Sequence, residues 1–240
     1  MSEEKIKKWL EHYPFSVFLS GGKDSVATLL WVLDNVKNKV FNVIYAEVSG
    51  NTHEWCNYYV HYVIMKLGLE DRFLHLKNEK YDFFECLVRW GVPLLQKYRW
   101  CREIFKIRVW HPHAFKIHVL GLRRLESKRR MWYLKKPIKY STREDAWKVN
   151  PLWSWTTDQV IDYIREHGLR LNPCYRRYGH GGNCMFCPYR DESAIILTLK
   201  NQYWREKILS ALKRFQPKGP IGKEVKEKWL RLAMQTTLVG

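Results

Sequence analysis

Phe15-Ser16-Val17-Phe18-Leu19-Ser20-Gly21-Gly22-Lys23-Asp24-Ser25 decides how this chain is read. Phe15 to Leu19 is a short apolar run with the length and bounds of a buried strand. Beyond Ser25, apolar residues at Val26, Leu29, Leu30 and Leu33 follow helical spacing. Two glycines between a strand and a helix start form a turn whose backbone N–H groups, on Gly21, Gly22 and Lys23, can converge on an anion. The helix dipole favours negative charge at the same place. Ser20 and Ser25 add hydroxyl donors, and Lys23 adds a point charge. The segment reads as a phosphate cradle and the chain as one that handles a nucleotide. An ordinary helix-capping turn is the plain alternative for so short a string.

The cradle is not a Walker A loop. That motif needs a glycine five residues before the Gly-Lys pair and a Ser or Thr directly after the lysine. Val17 and Asp24 stand at those positions, which argues against γ-phosphate transfer of the usual P-loop kind. Ser20 to Ser25 instead resembles the PP-loop of the ATP pyrophosphatase superfamily, whose members split ATP between the α and β phosphates.

Outward from the loop, strand and helix patterns alternate. A helix is expected over Glu3–His12 and another to about Asn35. Strands are expected at Phe41–Val48, Arg72–Leu76 and Lys116–Leu122. A long helix should cover His53–Leu67, and Tyr81–Phe105 reads as mostly helical with a break at Gly91-Val92-Pro93. This alternation predicts an α/β fold, a Rossmann-like parallel sheet flanked by helices, with ligands beyond the carboxyl ends of the strands. After Leu152 the pattern changes to a helix capped at Thr156 or Thr157 and ended by Gly168. A Gly-, Cys- and Arg-rich loop follows over 172–190, then basic helices over 191–215 and 221–236. Two domains are expected, a nucleotide-binding one over 1–155 and a helical carboxyl-terminal region over 156–240.

The chain has 240 residues, 46% of them hydrophobic, with a formal net charge of +18. No apolar run approaches a membrane span and the start lacks a signal peptide, so a soluble, cytoplasmic protein with no membrane partner is expected. The charge points to a polyanionic partner, RNA or DNA, with a merely solvated lysine surface as the alternative. Arg129, Arg130, Lys135, Lys136 and Lys139 are candidate phosphate contacts, with Trp132 and Tyr133 as stacking faces. Lys207, Lys213, Arg214, Lys226 and Arg231 form a second candidate patch. An oligomer is left open.

Gly121 to Arg130 follows a strand and carries Arg123, Arg124, Arg129 and Arg130. Arginines at a strand's carboxyl end can clamp a phosphate or sulfate through paired N–H donors, and Glu126 could orient one of them. A solvated charged turn is the alternative.

Together these segments resemble the phosphoadenylyl sulfate (PAPS) reductase family and its relatives. The resemblance runs from about residue 14 to 190. It includes Ser20–Ser25, Gly50-Asn51-Thr52, Arg99-Trp100-Cys101 with Lys106, Gly121–Arg130, Asn150–Trp155, Asn172-Pro173 and Cys184-Met185-Phe186-Cys187-Pro188. It implies that Ser20, Gly21, Gly22, Lys23, Asp24 and Ser25 bind nucleotide phosphates. It also implies that Ala46 to Val48 contacts adenine, and that Gly121, Arg123, Arg124 and Arg130 lie at the anionic end. Lys23, Asp24, Arg123 and Arg124 are the candidate catalytic residues.

Six cysteines occur, at 56, 86, 101, 174, 184 and 187. Cys184 and Cys187 form a Cys-x-x-Cys pair, a spacing that lets two thiolates meet one metal. Relatives that carry a 4Fe-4S cluster have a Cys-Cys pair followed much later by Cys-x-x-Cys. Here Arg102 replaces the second cysteine of the first pair. Cys101, Cys174, Cys184 and Cys187 are therefore the candidate cluster ligands. A local zinc site of Cys174, His180, Cys184 and Cys187 is one alternative, and buried thiols without metal are another. Cys56 and Cys86 lie on helical patterns and read as small core residues.

Two departures from the reductases stand out. Those enzymes attack their substrate with a cysteine in a carboxyl-terminal tail, and no cysteine follows Cys187 here. Reductases of preformed adenylyl sulfate usually have an acidic residue where Lys23 stands, whereas ATP-splitting relatives have the lysine. Both point to ATP chemistry: adenylation of a substrate with release of pyrophosphate, Mg²⁺ positioned by Asp24, and sulfur transfer from a donor to nucleic acid. A sulfonucleotide reductase with an external thiol or electron-donor protein is the alternative. A nucleic-acid-binding subunit with a non-catalytic nucleotide fold is the third reading.

Overall fold

A computed structural model describes residues 3–38, 40–94 and 99–237, and the chain divides into two compact units that interleave along the sequence. The first takes residues 1–46, 57–76 and 110–172, and the second 47–56, 77–109 and 173–240. The second unit is discontinuous because Phe83, Trp100 and Phe105 share a core with Phe186, Trp204 and Trp229, far away in sequence.

The first unit is built on a six-stranded sheet, β1 (Phe15–Leu19), β2 (Phe41–Glu47), β3 (Phe73–Lys77), β4 (Ile117–Val119), β5 (Ile138–Ser141) and β6 (Ala146–Val149), in the order β3-β2-β1-β4-β6-β5. β1 runs parallel to β2 and β4, and β4 parallel to β6. All five residues of β1 are buried, as a central strand covered on both faces requires. Chain order reverses between β1 and β4, because β2 lies on one side of β1 and β4 on the other. That is the switch point where open α/β sheets leave a crevice at the strands' carboxyl ends.

The helices of this part of the chain are α1 (Glu3–His12), α2 (Lys23–Asn35), α3 (Glu54–Lys66), whose first turn belongs to the other unit, and further along α7 (Lys128–Tyr133) and α8 (Thr157–Glu166). α2 packs on α8, and Val26, Leu29, Leu30, Val160 and Ile164 are all buried. Thr156 caps α8 through a reciprocal capping box with Gln159. Asp34 accepts from the Tyr163 hydroxyl and lies 2.9 Å from His167 Nε2, which ties the ends of α2 and α8 together.

The sheet also holds an antiparallel edge that sequence periodicity does not show. β5 pairs with β6 through Ile138↔Val149, Lys139↔Lys148, Tyr140↔Trp147 and Ser141↔Ala146. These strands have four residues each and carry lysines and a tryptophan, so no apolar alternation marks them.

The second unit is largely helical. It contains α4 (Phe83–Trp90), α5 (Trp100–Arg102), a π-helical turn over Glu103–Ile107 and the start of α6 (Arg108–Trp110). Then come α9 (Cys174–Tyr178), α10 (Glu192–Leu199), α11 (Gln202–Arg214) and α12 (Pro220–Thr237). The helix expected over 191–215 is two, because Asn201 ends one and caps the next by accepting from the Trp204 N–H at 3.1 Å. Among the described residues no helix is long and apolar enough to cross a membrane.

Trp229 of α12 is fully buried and its ring centroid lies 4.7 Å from that of Phe186 in the cysteine loop. Its indole N–H has no hydrogen-bond partner among the described residues. Trp229→Ala should cost about 3–5 kcal/mol in urea unfolding, whereas Trp229→Phe, which keeps most of the packing and removes the unpaired N–H, should cost much less.

Candidate functional site

The turn between β1 and α2 is closed by its own side chains. Gly21 takes φ of +72°, a left-handed conformation that suits glycine. The Ser25 hydroxyl donates to Gly22 O at 2.8 Å and accepts from the Ser20 N–H at 3.0 Å and the Ser20 hydroxyl at 3.1 Å. Asn172, 2% exposed, donates to Gly21 O at 2.8 Å. The loop's carbonyls thus accept from inside the protein, which leaves the amino end of α2 as its electropositive side.

Asp24 is held between two cations. Its Oδ2 lies 3.1 Å from Lys23 Nζ, and its Oδ1 accepts from Arg123 Nε. Arg123 is 1% exposed; its other nitrogens donate to Trp155 O at 2.9 Å and Thr157 Oγ1 at 3.2 Å. Arg123 is therefore a positioning residue for Asp24, because its donors are spent inside the protein. Arg124 stands differently. Its guanidinium lies 5.3 Å from the Trp153 ring centroid, and its buried Nε has no partner among the described residues. A buried guanidinium nitrogen without a partner is costly, and an anion would satisfy it.

Gly121 joins the loops after β4 and β1. A Cβ there would stand 2.6 Å from the carbonyl carbon and oxygen of Asp24 and 2.7 Å from the Ser25 nitrogen. Five residues on, Glu126 pairs with Arg130 at 3.0 Å. Burial pushes the Glu126 carboxyl up, Arg130 draws it down, and Asp24 pushes it up again. Asp24 and Glu126 therefore share one electrostatic neighbourhood with Lys23, Arg123 and Arg130.

Ala46 ends the buried part of β2 in the first unit, while Val48 lies in the second. The Val48 N–H donates to Thr52 Oγ1 at 2.9 Å, and its carbonyl accepts from Asn51 at 2.8 Å and Thr52 at 3.0 Å. Its main chain is thus engaged in the turn after β2.

In the second unit, Asn51 holds the loop of the Cys-x-x-Cys pair. It is fully buried; its side chain donates to Phe186 O at 2.9 Å and accepts from the Phe186 N–H at 2.8 Å. The Met185 N–H reaches Asn51 O at 2.8 Å. Cys101, Cys184 and Cys187 influence one another electrostatically in this unit. Burial pushes the Cys101 thiol up to about 11, Cys184 pushes it further, and Arg99 and Lys106 oppose. Burial raises Cys187 as well, with Cys184 next in weight. Burial draws Arg99 down, but Cys101, Cys187 and Cys184 outweigh it, so its pKa ends raised. Lys106 Nζ also donates to Asn183 Oδ1 at 3.2 Å.

Cys174 does not join the other three candidate ligands. It is fully buried against Gly182, where a Cβ would lie 2.6 Å from its sulfur, and its thiol is pushed up to about 12 by burial and then by Cys56. The local Cys₃His set is not gathered either. His180 Nδ1 accepts from the Gly182 N–H at 3.1 Å, and Nε2 lies 3.3 Å from Thr198 Oγ1. Among the described residues no three His, Cys, Asp or Glu side chains are grouped closely enough to hold a metal ion. Cys56 and Cys86 are buried in helices.

Asn51, Asn172, Arg99 and Lys106 carry parts that sequence reading did not assign. Each lies in a segment that the family resemblance had marked, but the partners of Asn51 and Asn172, over a hundred positions away, leave no local pattern.

Residues 14–188 match the family model of the phosphoadenosine phosphosulfate reductase domain. The chain belongs to that family. An uncharacterized protein of Methanocaldococcus jannaschii, MJ0066, is 28% identical over 239 residues, which is 95% of this chain and 45% of that protein. The chain thus spans about half the length of the curated relative that it matches. The phosphoadenylyl-sulfate reductase of Candida auris, in a phosphate complex, is similar in fold, with a TM-score of 0.53 and 16% identity over 73% of this chain and 84% of that one. The U34-tRNA thiolase NcsA of Methanococcus maripaludis, with its 4Fe-4S cluster, gives a TM-score of 0.46 and 14% identity over 99% and 76%. The mostly parallel six-stranded sheet of this reductase-domain chain agrees with the α/β architecture expected from its sequence.

Gly121→Ala should weaken nucleotide binding at least tenfold, measured by calorimetry, because the clash is with backbone of the Asp24–Ser25 segment. A stability prediction follows from His180, whose pKa burial, then Arg190, depresses from 6.5 to about 3. The fold keeps it neutral while the unfolded chain takes a proton near pH 6.5. The stability it contributes is complete above that pH and is lost as pH falls toward 3. Urea midpoints should therefore drop between pH 7.5 and 5, and His180→Gln should flatten that slope.

Proposed function

We propose that this protein is an ATP-dependent adenylating enzyme that releases pyrophosphate and supports sulfur transfer to a nucleic-acid acceptor. The observation that carries the reading is the Lys23–Asp24–Arg123 arrangement at the amino end of α2. A triphosphate on the Ser20–Ser25 turn would meet the positive helix end and the Lys23 ammonium. Lys23 would move from Asp24 to the β and γ phosphates, while Arg123 keeps Asp24 in place. Arg124, with its unpartnered nitrogen, would bind the α-phosphate or the acceptor's own phosphate.

The acceptor's oxygen attacks the α-phosphorus. The bond from that phosphorus to the bridging oxygen breaks, and pyrophosphate leaves with the electron pair. Lys23 and the α2 amino end stabilise that leaving charge. A sulfur donor then attacks the acceptor carbon, and AMP departs. Carboxylate oxygens suit a hard cation; Asp24 and Glu126 would hold Mg²⁺, which shields the triphosphate when bound. Thiols suit iron and zinc. Cys101, Cys184 and Cys187, drawn closer together than they stand here, would hold a 4Fe-4S cluster, which would supply iron with an affinity for sulfur. Arg99 and Lys106 would offset the negative charge of the thiolates.

The family's name favours a second reading, a sulfonucleotide reductase that takes its thiol from a partner. Adenylyl sulfate or its 3′-phosphorylated form, supplied with thioredoxin, should give no sulfite; steady sulfite release overturns the adenylation reading. Protein purified without oxygen should release pyrophosphate from ATP in the presence of nucleic acid, and Lys23→Ala should lower that rate by about 10²-fold. It should show a broad band near roughly 400 nm that dithionite bleaches, lost in Cys184→Ala and kept in Cys174→Ala. Zinc in place of iron by metal analysis overturns the cluster assignment.

A further inference from the structure

The segment from α7 through β6 combines exposed aromatic rings with uncompensated positive charge. Trp132 is 77% exposed, far above what a core tryptophan shows. Tyr133, Tyr140 and Trp147 are exposed as well, and Tyr140 and Trp147 face one another across the β5–β6 pair with ring centroids 5.2 Å apart. The same segment carries the exposed cations Lys128, Arg129, Lys135, Lys136 and Lys139, for which no ion pair is seen among the described residues. Lys139 stands directly opposite Lys148, a like-charged cross-strand pair that destabilises a sheet unless something external repays it. Glu144 pairs with Lys148 at 2.5 Å, on the Lys148 side of that pair.

Lysines on an edge strand can serve merely to block aggregation. That role does not account for Trp132, which lies on α7 and adds apolar exposure. The other basic region of the chain is different. Lys207 sits over the rings of Phe84, Tyr203 and Trp204, Lys226 donates to Phe215 O, and Arg231 pairs with Glu192. Those cations are already occupied inside the second unit.

We infer that the α7–β5–β6 surface binds single-stranded nucleic acid, with Lys128, Arg129, Lys135, Lys136 and Lys139 on phosphates and Trp132 and Tyr133 stacked on unpaired bases. Rings that project into solvent can stack on bases only where these are not already stacked in a duplex, which selects single strands. The inference rests on the reading of nucleic acid as acceptor and names the surface that engages it.

The test is binding of fluorescent RNA and DNA oligonucleotides, single-stranded and duplex, to the full chain without ATP, with heparin as a plain polyanion. Single strands should bind tighter than duplex and quench tryptophan emission. Affinity should fall steeply with salt, and Lys135→Glu/Lys136→Glu should weaken it at least tenfold and reduce the salt slope. Trp132→Ala should weaken single-strand binding at least fivefold and leave heparin binding unchanged. Equal binding of duplex and single strand, an equal loss of heparin binding in Trp132→Ala, or a loss confined to Lys207→Glu/Lys213→Glu overturns the surface. Pyrophosphate release tests the adenylation reading separately. If variants keep oligonucleotide binding at wild-type strength while Lys23→Ala abolishes pyrophosphate release, the surface fails and the reading stands. If single strands bind as described but no pyrophosphate forms, the surface stands and the reading fails.

Discussion

The pairing of Arg123 with Asp24 ties the two loops at the sheet's switch point. Arg123 is buried and Asp24 half-buried, and the remaining guanidinium nitrogens donate to Trp155 O and Thr157 Oγ1. A buried guanidinium needs its hydrogen bonds satisfied, and removal of either charge leaves the other uncompensated. The pair therefore fixes the start of α2 against the loop after β4. Gly121 makes this possible, since its missing side chain lets the two backbones touch. An arginine that reads from sequence as an anion clamp thus holds the cradle's carboxylate, and its neighbour Arg124 keeps the unpartnered donor.

The second unit solves a different problem. A loop rich in glycine and cysteine has little apolar surface of its own to order it. Phe186 enters the aromatic core with Phe83, Phe84 and Trp229, and Asn51 satisfies the loop's backbone on the other side. Cys101, Cys184 and Cys187 feel one another's charge in this unit, with Arg99 and Lys106 as compensating cations. Cys174 packs into a tight contact with Gly182.

The net charge of +18 is unevenly usable. On α11 and α12 several cations lie over aromatic rings or donate to carbonyls. On α7 and β5, Lys128, Arg129 and Lys139 are exposed to water beside exposed rings, while Arg130 and Lys148 pair with Glu126 and Glu144. Composition alone cannot separate these two kinds of lysine, because the difference lies in what each ammonium touches.

The strand, turn and helix around Ser20–Ser25 were determined by the sequence, because turn chemistry and apolar spacing are local properties. The alternation that makes a parallel sheet was legible for the same reason, as was family membership, since ordered motifs over 14–188 survive as short strings. Only the tertiary structure decided the rest. β5 and β6 are strands because β4 and their pairing hold them, not because of their own pattern. The two-unit division, the separation of Cys174 from Cys101, Cys184 and Cys187, and the opposite parts of Arg123 and Arg124 depend on contacts between distant segments. Such contacts are set by packing and by buried hydrogen bonds, neither of which leaves a periodic signature along the chain.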